Sequence, residues 1–359
     1  MRASIGDRPE HYERLGLAPD RIQPWENGLR TGAADGTWEW WYCDAHLDDG
    51  STLTVEFHTK PPYVSPASPL TPFVLLTLTL ADGTRIDKAA TLEPEAFRAS
   101  AERCDVTIGI NTFKGGPADG FAVHVEIEDV VADIRLTPEV GPWRPATGHV
   151  FFGADEEHYI AWLPVAARNA ARVELTRDGH TVHLDGLGYH DHNWGNIAPR
   201  KVLDHWYWGR ACMGDHTVVT LNFVAGEMYD NARVPALLVA RSGEQLISAV
   251  GAGDVVSAED DVMTHAHTAV PFAKRLRYQA VDASGRYTVT FGHRSDAFTL
   301  DFGRAGAYHR FLGEVAVEHT RDGHTDRVEG RTLWELLYFG SRPAAGGSEE
   351  RMPLIGHQA

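Results

Sequence analysis

Nine consecutive residues, Gly188-Tyr189-His190-Asp191-His192-Asn193-Trp194-Gly195-Asn196, carry the densest mixture of proton-handling and aromatic groups in the chain. In an extended backbone His190, His192 and Trp194 fall on one face, with Asp191 and Asn193 on the other. The glycines at 188 and 195 mark a backbone that bends sharply or comes close to a ligand. Buried together, these side chains each need a hydrogen-bond partner. Three kinds of role fit such a knot. It can be structural, since a buried indole or phenol needs one partner. It can be an acid/base site, because a carboxyl in an apolar cup has a raised pKa and can donate a proton, here from Asp191 oriented by His190 and His192. It can hold a metal, because His-x-His on a strand with a nearby Asp-His suits zinc or iron. Asn193 and Trp194 crowd that pair and no further His/Glu cluster has ligand spacing, so neither a metal nor any other cofactor is expected.

Other constellations flank this one. Asp204-His205-Trp206-Tyr207-Trp208 places Trp206 and Trp208 on one face of an extended segment, with His205 and Tyr207 on the other. Trp38-Glu39-Trp40-Trp41-Tyr42-Cys43-Asp44 divides into Glu39, Trp41 and Cys43 against Trp38, Trp40, Tyr42 and Asp44. Both faces are too aromatic for water, so both are expected to be covered. An inward Glu39 then needs a donor, Arg210 or a Trp N–H, and its plainer role is a satisfied carboxylate in a core strand. Glu56 and His58 flank Phe57 on a strand able to pair with this one and to enter the same interior. Glu335 is a lone acid in the apolar run Gly330–Gly340.

The elements that must position these groups read as strands. Ser51–Phe57, Phe73–Leu80, Phe121–Ile127, Arg286–Phe291 and Phe298–Phe302 are alternating or apolar runs. Asp49-Gly50, Asp82-Gly83, Asp178-Gly179 and Asp322-Gly323 supply the positive φ of tight hairpins. Many short strands with such turns predict an all-β sandwich or barrel. Leu92–Arg103 is the best helical candidate, and Val262–Arg277 holds short helical pieces at most. Arg-Asp-Gly-His occurs at 177–180 and again at 321–324, an echo that fits two similar domains. The expected organisation is an arm over 1–36, domains over 37–196 and 197–340, and a tail over 341–359.

Composition narrows the partners. The formal net charge is −17 and Lys274-Arg275-Leu276-Arg277 is the densest basic stretch, which argues against nucleic acid or an anionic membrane surface. The three cysteines, Cys43, Cys104 and Cys212, are far apart, and Cys43 and Cys212 sit in apolar runs that suit buried thiols. No apolar leader, no membrane-length apolar run and no nucleotide-binding or serine-nucleophile motif occurs, so a cytoplasmic protein is expected.

The Trp38–Ala45 run, Trp162-x-Pro164, Gly188–Gly195, Tyr308-x-Arg310-Phe311 and Trp334-Glu335 together resemble the AttH/carotenoid 1,2-hydratase (hydroxyneurosporene synthase) family, over residues 38 to about 340. The resemblance implies two lipocalin-like antiparallel β-barrel or sandwich domains. It also implies cofactor-independent hydration, or cyclisation including Diels–Alder chemistry, on apolar substrates. It assigns importance to His192 and Trp194, and to a Tyr-x-Asp pair whose positions here hold Thr220 and Asn222. Asn222 cannot protonate an alkene, which leaves cyclisation or isomerisation, or an acid drawn from Asp191, Glu56 or Glu39.

The expected protein is therefore a cyclase, isomerase or hydratase of a terpenoid or polyketide. Asp191, His192, His190 and Glu56 are the expected catalytic groups. Tyr189, Trp194, Trp206, Tyr207, Trp208, Asn222, Trp41 and Glu39 are expected to line an aromatic pocket between the domains, where indoles stabilise positive charge. A lipocalin-like carrier and a filled, ligand-free barrel are the competing readings.

Overall fold

The computed structural model describes residues 2–61 and 68–340; the expected tail at 341–359 lies outside the described residues. The fold is all-β, with two antiparallel sheets of lipocalin-like type. The described chain divides into two compact units, one of residues 7–149 and 158–198, the other of residues 2–6, 150–157 and 199–340.

In the first unit the strands run side by side as Arg85–Thr91, Phe73–Thr79, Thr52–His58, Trp38–Leu47, His180–Gly195, His158–Arg177, Val130–Pro138, Gly120–Ile127, Asn111–Gly116, Cys104–Ile108 and Phe97–Ala99. The four strands that matter most lie together, because His180–Gly195 pairs with both Trp38–Leu47 and His158–Arg177, and Trp38–Leu47 pairs with Thr52–His58. Alternation sends Trp41, Cys43, Val55, Phe57, Leu163 and Trp194 into one continuous apolar core with Phe113 and Phe121.

The second unit orders its strands as Glu244–Val250, Arg233–Arg241, His216–Ala225, Leu203–Met213, His324–Tyr338, Ala307–Arg321, Gly285–Asp301, Pro271–Asp282 and Val255–Thr264. Its core gathers Tyr207, Val218, Phe272, Tyr278, Phe291, Phe311 and Trp334.

The repeated Arg-Asp-Gly-His is the same device in both units. Asp178 and Gly179 have φ of 51° and 76°, and Asp322 and Gly323 have 49° and 79°, so each is a two-residue turn with both central residues left-handed. The flanking residues pair directly, Arg177 with His180 and Arg321 with His324.

The helical expectations do not hold. Leu92–Arg103 contains only a 3-10 turn, Pro94–Ala96, before the strand Phe97–Ala99. Val262–Arg277 is the end of one strand and the start of the next, paired Val262 to Ala273. Pro94 is well placed to start a turn, but the following residues find ladder partners, and tertiary pairing overrides a weak helical preference. Among the described residues the α-helix is instead Pro9–Leu15, closed by Gly16 in the left-handed region. Downstream, the 3-10 turn Pro24–Asn27 buries Glu26 and Asn27, and Glu26 pairs with Arg144 at 2.5 Å.

Candidate active site

The Gly188–Gly195 motif is extended throughout and forms the end of the strand His180–Gly195. There is no sharp bend at its glycines. They are needed for close approach: a Cβ on Gly188 would lie 2.6 Å from a Leu136 methyl, and one on Gly195 would lie 2.6 Å from the Trp38 ring and 2.8 Å from the Tyr159 carbonyl.

Because the strand is regular, the motif divides between two faces. On the core face His192 is wholly buried, stacked on Trp41 with ring centroids 4.6 Å apart and beside Trp194 at 4.7 Å. Its Nε2–H donates to Glu39 Oε1 at 2.8 Å. Burial lowers the His192 pKa and Glu39 opposes that shift without cancelling it, so the ring is biased toward the neutral form. The Glu39 carboxylate also accepts from the Arg30 N–H (2.7 Å), the Thr31 N–H (2.9 Å) and the Thr31 hydroxyl (2.7 Å). Its donors are thus the 30–31 segment and His192, not Arg210, which belongs to the second unit.

His190 faces the same core and is fully committed. Its Nδ1–H donates to the Tyr42 carbonyl at 2.8 Å, and the Asn27 amide donates to Nε2 at 2.9 Å. Burial pushes its pKa down to about 3, so it is neutral at physiological pH and has no free nitrogen to offer.

Asp191 points to the opposite face. Trp162 Nε1–H (2.8 Å) and the Tyr189 hydroxyl (2.9 Å) donate to Oδ2, and the Asn193 amide (2.8 Å) donates to Oδ1. The expectation that His190 and His192 orient Asp191 is therefore corrected: two-residue alternation puts them on the other side of the sheet. The groups that orient it are Trp162, Tyr189 and Asn193.

Register places the remaining acids. Asp191 lies opposite Tyr42, which lies opposite Glu56, and Asn193 lies opposite Trp40, which lies opposite His58. Asp191, Glu56 and His58 therefore share one sheet face with Trp40, Tyr42 and Asp44, while Glu39 is on the core face. The expected shared interior for Glu39, Glu56 and His58 does not exist. Trp38 and Trp40 stack at 4.8 Å along this face, and the Tyr42 hydroxyl donates to Asp44 at 2.9 Å.

The candidate residues of the second unit divide in the same way. Tyr207 is in the core, where its hydroxyl accepts the Ala273 N–H at 2.9 Å and burial raises its pKa far above the usual phenol. Asn222 lies opposite Tyr207 on that inner face and accepts from the Ser257 hydroxyl at 3.0 Å. Trp206 and Trp208 occupy the other face, Trp206 edge-on to Phe223. Glu335, opposite Trp208, accepts from the Tyr308 hydroxyl and from Arg310. The expected binding set Trp206, Tyr207, Trp208 and Asn222 thus does not line one surface.

Cys43 and Cys104 are buried thiols whose pKa values burial raises, while Cys212 is only half-buried. No group of three His, Cys, Asp or Glu among the described residues has metal-binding geometry. A surface cleft of about 420 Å³ is lined by His124, Asp133, Arg172, Glu174 and His183, among others. His124 pairs there with Asp133, Arg172 with Asp185 and His183 with Glu174 across neighbouring strands, and none of the expected site residues lines it.

Comparison with known proteins agrees with this architecture. The family model of carotenoid hydratase CrtC matches residues 118–250. The chain superposes on an AttH protein of Nitrosomonas europaea with a TM-score of 0.62 at 18% identity, covering 90% of this chain and 98% of that one. The resemblance read from the motifs holds. The AttH-like fold also superposes on CghA (TM-score 0.60, 13% identity, 86% of this chain and 90% of that one). Kievitone hydratase of Nectria haematococca matches with a TM-score of 0.55 at 13% identity, over 89% and 94% of the two chains. The quinolone epoxide rearrangement protein penF of Penicillium thymicola is 27% identical over 182 residues, 47% of this chain and 45% of penF, so the match spans under half of that relative's length. No described helix is long and apolar enough to cross a membrane.

Sequence reasoning missed several partners that build this site. Asn27, Arg30 and Thr31 hold the core-face groups, and Trp162 holds Asp191. Trp162 gave a signal, since Trp162-x-Pro164 stands among the family-like motifs.

Proposed function

We propose that the protein is a cofactor-independent enzyme of the lyase or isomerase class, acting on an apolar terpenoid or polyketide of secondary metabolism. The observation that carries this is the Asp191 carboxylate. It sits on an aromatic sheet face, 5% exposed, with an indole N–H, a phenol and an amide aimed at it. Three donors are what a charged carboxylate wants when water is scarce. Such a group takes a proton from a substrate or balances a developing positive charge. Trp40 and Tyr42 beside it offer ring faces to an apolar substrate and to cationic character in it. The names found by comparison support this reading: the matching family model and one structural neighbour are named hydratases, and one relative is named for epoxide rearrangement.

The test is incubation of the purified protein with prenyl-aryl alkenes, acyclic isoprenoid alkenes and aryl epoxides, followed by mass spectrometry with chromatography. Altered retention at unchanged mass indicates cyclisation or isomerisation, and a gain of one water indicates hydration. Asp191→Asn should lower turnover about 10²–10⁴-fold. Binding without conversion would replace this reading with a carrier.

A further inference from the structure

We infer that His58, held by Glu56, is a second proton-transferring group on the Asp191 face. This rests on the function proposed above and names a catalytic residue for it. Glu56 Oε2 accepts from His58 Nε2–H at 2.8 Å. A carboxylate can only accept, so Nε2 carries a proton, and in the neutral ring the lone pair is then on Nδ1. Nδ1 is buried and has no hydrogen-bond partner among the described residues. The ring itself is fixed, stacked on Phe73 with centroids 4.3 Å apart and planes within 7°, with Trp40 at 5.5 Å on its own face. A rigid imidazole with one nitrogen held by a carboxylate and the other unclaimed is the arrangement of a general base.

Position supports the assignment. Trp40 lies opposite both His58 and Asn193, and Tyr42 lies opposite both Glu56 and Asp191. The two proton-handling groups are therefore two strands apart and two residues offset along the strand, roughly 12 Å between backbones at ordinary strand spacing. Trp40 and Tyr42 form the floor between them. For both groups to act, a flat apolar ring system must lie over the half-buried Trp40 and Tyr42, with one end at His58 and the other at Asp191.

In the step, Nδ1 takes a proton from a substrate C–H or O–H as the electron pair shifts into the substrate. The imidazolium is balanced by Glu56. The same proton returns to the rearranged product, so nothing is gained or lost and no co-reactant is needed. Glu56 acts through His58 and is a positioning residue.

The experiment uses the full chain and whichever alkene or epoxide of the panel the wild type converts. His58→Gln should lower kcat at least about a hundredfold and leave KM within a few-fold. His58→Ala should regain turnover when imidazole is added to the solution, which a packing role would not produce. Glu56→Gln should lower kcat about 10-fold or more. Nitrogen NMR of the substrate-free protein should show His58 with Nδ1 unprotonated. A folded His58→Gln that keeps most of its turnover overturns the inference, as does His58→Ala without imidazole rescue or a protonated Nδ1. If the His58 variants do not fold, Glu56→Gln decides: the stated fall supports the role and unchanged kcat overturns it. No conversion by the wild type overturns the proposed function and this inference with it. Loss on Asp191→Asn without loss on His58→Gln overturns this inference alone.

Discussion

Removing the Glu39 carboxylate should destabilise the first unit more than any single exposed substitution could. Glu39 and His192 are both wholly buried, and the carboxylate accepts four hydrogen bonds: from His192, from two backbone amides and from the Thr31 hydroxyl. Glu39→Ala leaves those donors without an acceptor. The Thr31 hydroxyl can turn elsewhere, and the half-buried Arg30 and Thr31 amides can recover part of their loss from water. The His192 nitrogen, stacked against Trp41, cannot. A stranded buried donor costs about 1–3 kcal/mol. One full loss and two partial ones come to about 3–5 kcal/mol, near the upper end for a point substitution. Glu39→Gln should cost about half as much, since its carbonyl still accepts while its amide confronts the remaining donors. Hydrogen exchange followed by mass spectrometry reads this strand by strand. Glu39→Ala should strip protection from Trp38–Leu47 and His180–Gly195 and leave His216–Ala225 protected, because Glu39 and its partners belong to the first unit. A loss below about 1 kcal/mol, or equal loss in both units, would refute the view that this carboxylate ties the 24–31 segment to the motif strand.

Acid should weaken the fold before carboxylates titrate. Burial pushes His190 down to about 3 and His149 to about 4, whereas an unfolded imidazole titrates near 6.5. The unfolded chain then binds protons first, so stability is full above about pH 6.5 and falls by up to about 1.4 kcal/mol per pH unit for each histidine between there and its folded value. Urea midpoints against pH should show that slope, and His149→Gln should flatten it; a flat wild-type profile would contradict both assignments. Gly195→Ala should cost about 1–3 kcal/mol, because the Trp38 ring it meets is anchored through Nε1 to the Ile197 carbonyl at 2.7 Å. Gly116→Ala, with no atom within 4 Å of its Cβ, should change thermal denaturation little, and equal effects at the two glycines would sink the close-approach account.

Much of the architecture was legible because strands write their burial in the parity of the sequence. The division of Trp38–Asp44 into two faces, the paired Asp-Gly hairpins and the all-β class all follow from alternation and turn chemistry, although Trp40 and Tyr42 leave one face only half-buried, not covered. The same parity separated Asp191 from His190 and His192. Assigning the imidazoles to orient that carboxylate set proximity in sequence above the two-residue period, and the period decided. What could not be read was which distant residue meets each buried polar group. Asn27 reaches His190 across 163 positions and Trp162 reaches Asp191 across 29, and neither contact leaves a periodic trace in the chain. Leu92–Arg103 failed for a related reason, since a weak local preference loses to a ladder partner elsewhere.

The division between faces also bears on what the imidazoles can do. An imidazole with both nitrogens bonded, such as His190, is a strut. One held on a single nitrogen, such as His58 by Glu56, keeps a lone pair for chemistry if it lies where a substrate can lie. His192 is bonded to Glu39 and also has the Glu26 backbone carbonyl as a hydrogen-bonding neighbour, with its ring between Trp41 and Trp194 in the core. The face of the sheet separates the two as well, because His58 shares its side with Asp191 and with the half-buried Trp40 and Tyr42 and His192 does not. A catalytic loss on replacing His58 that exceeds the loss on replacing His192, in variants of matched stability, is the outcome this geometry requires.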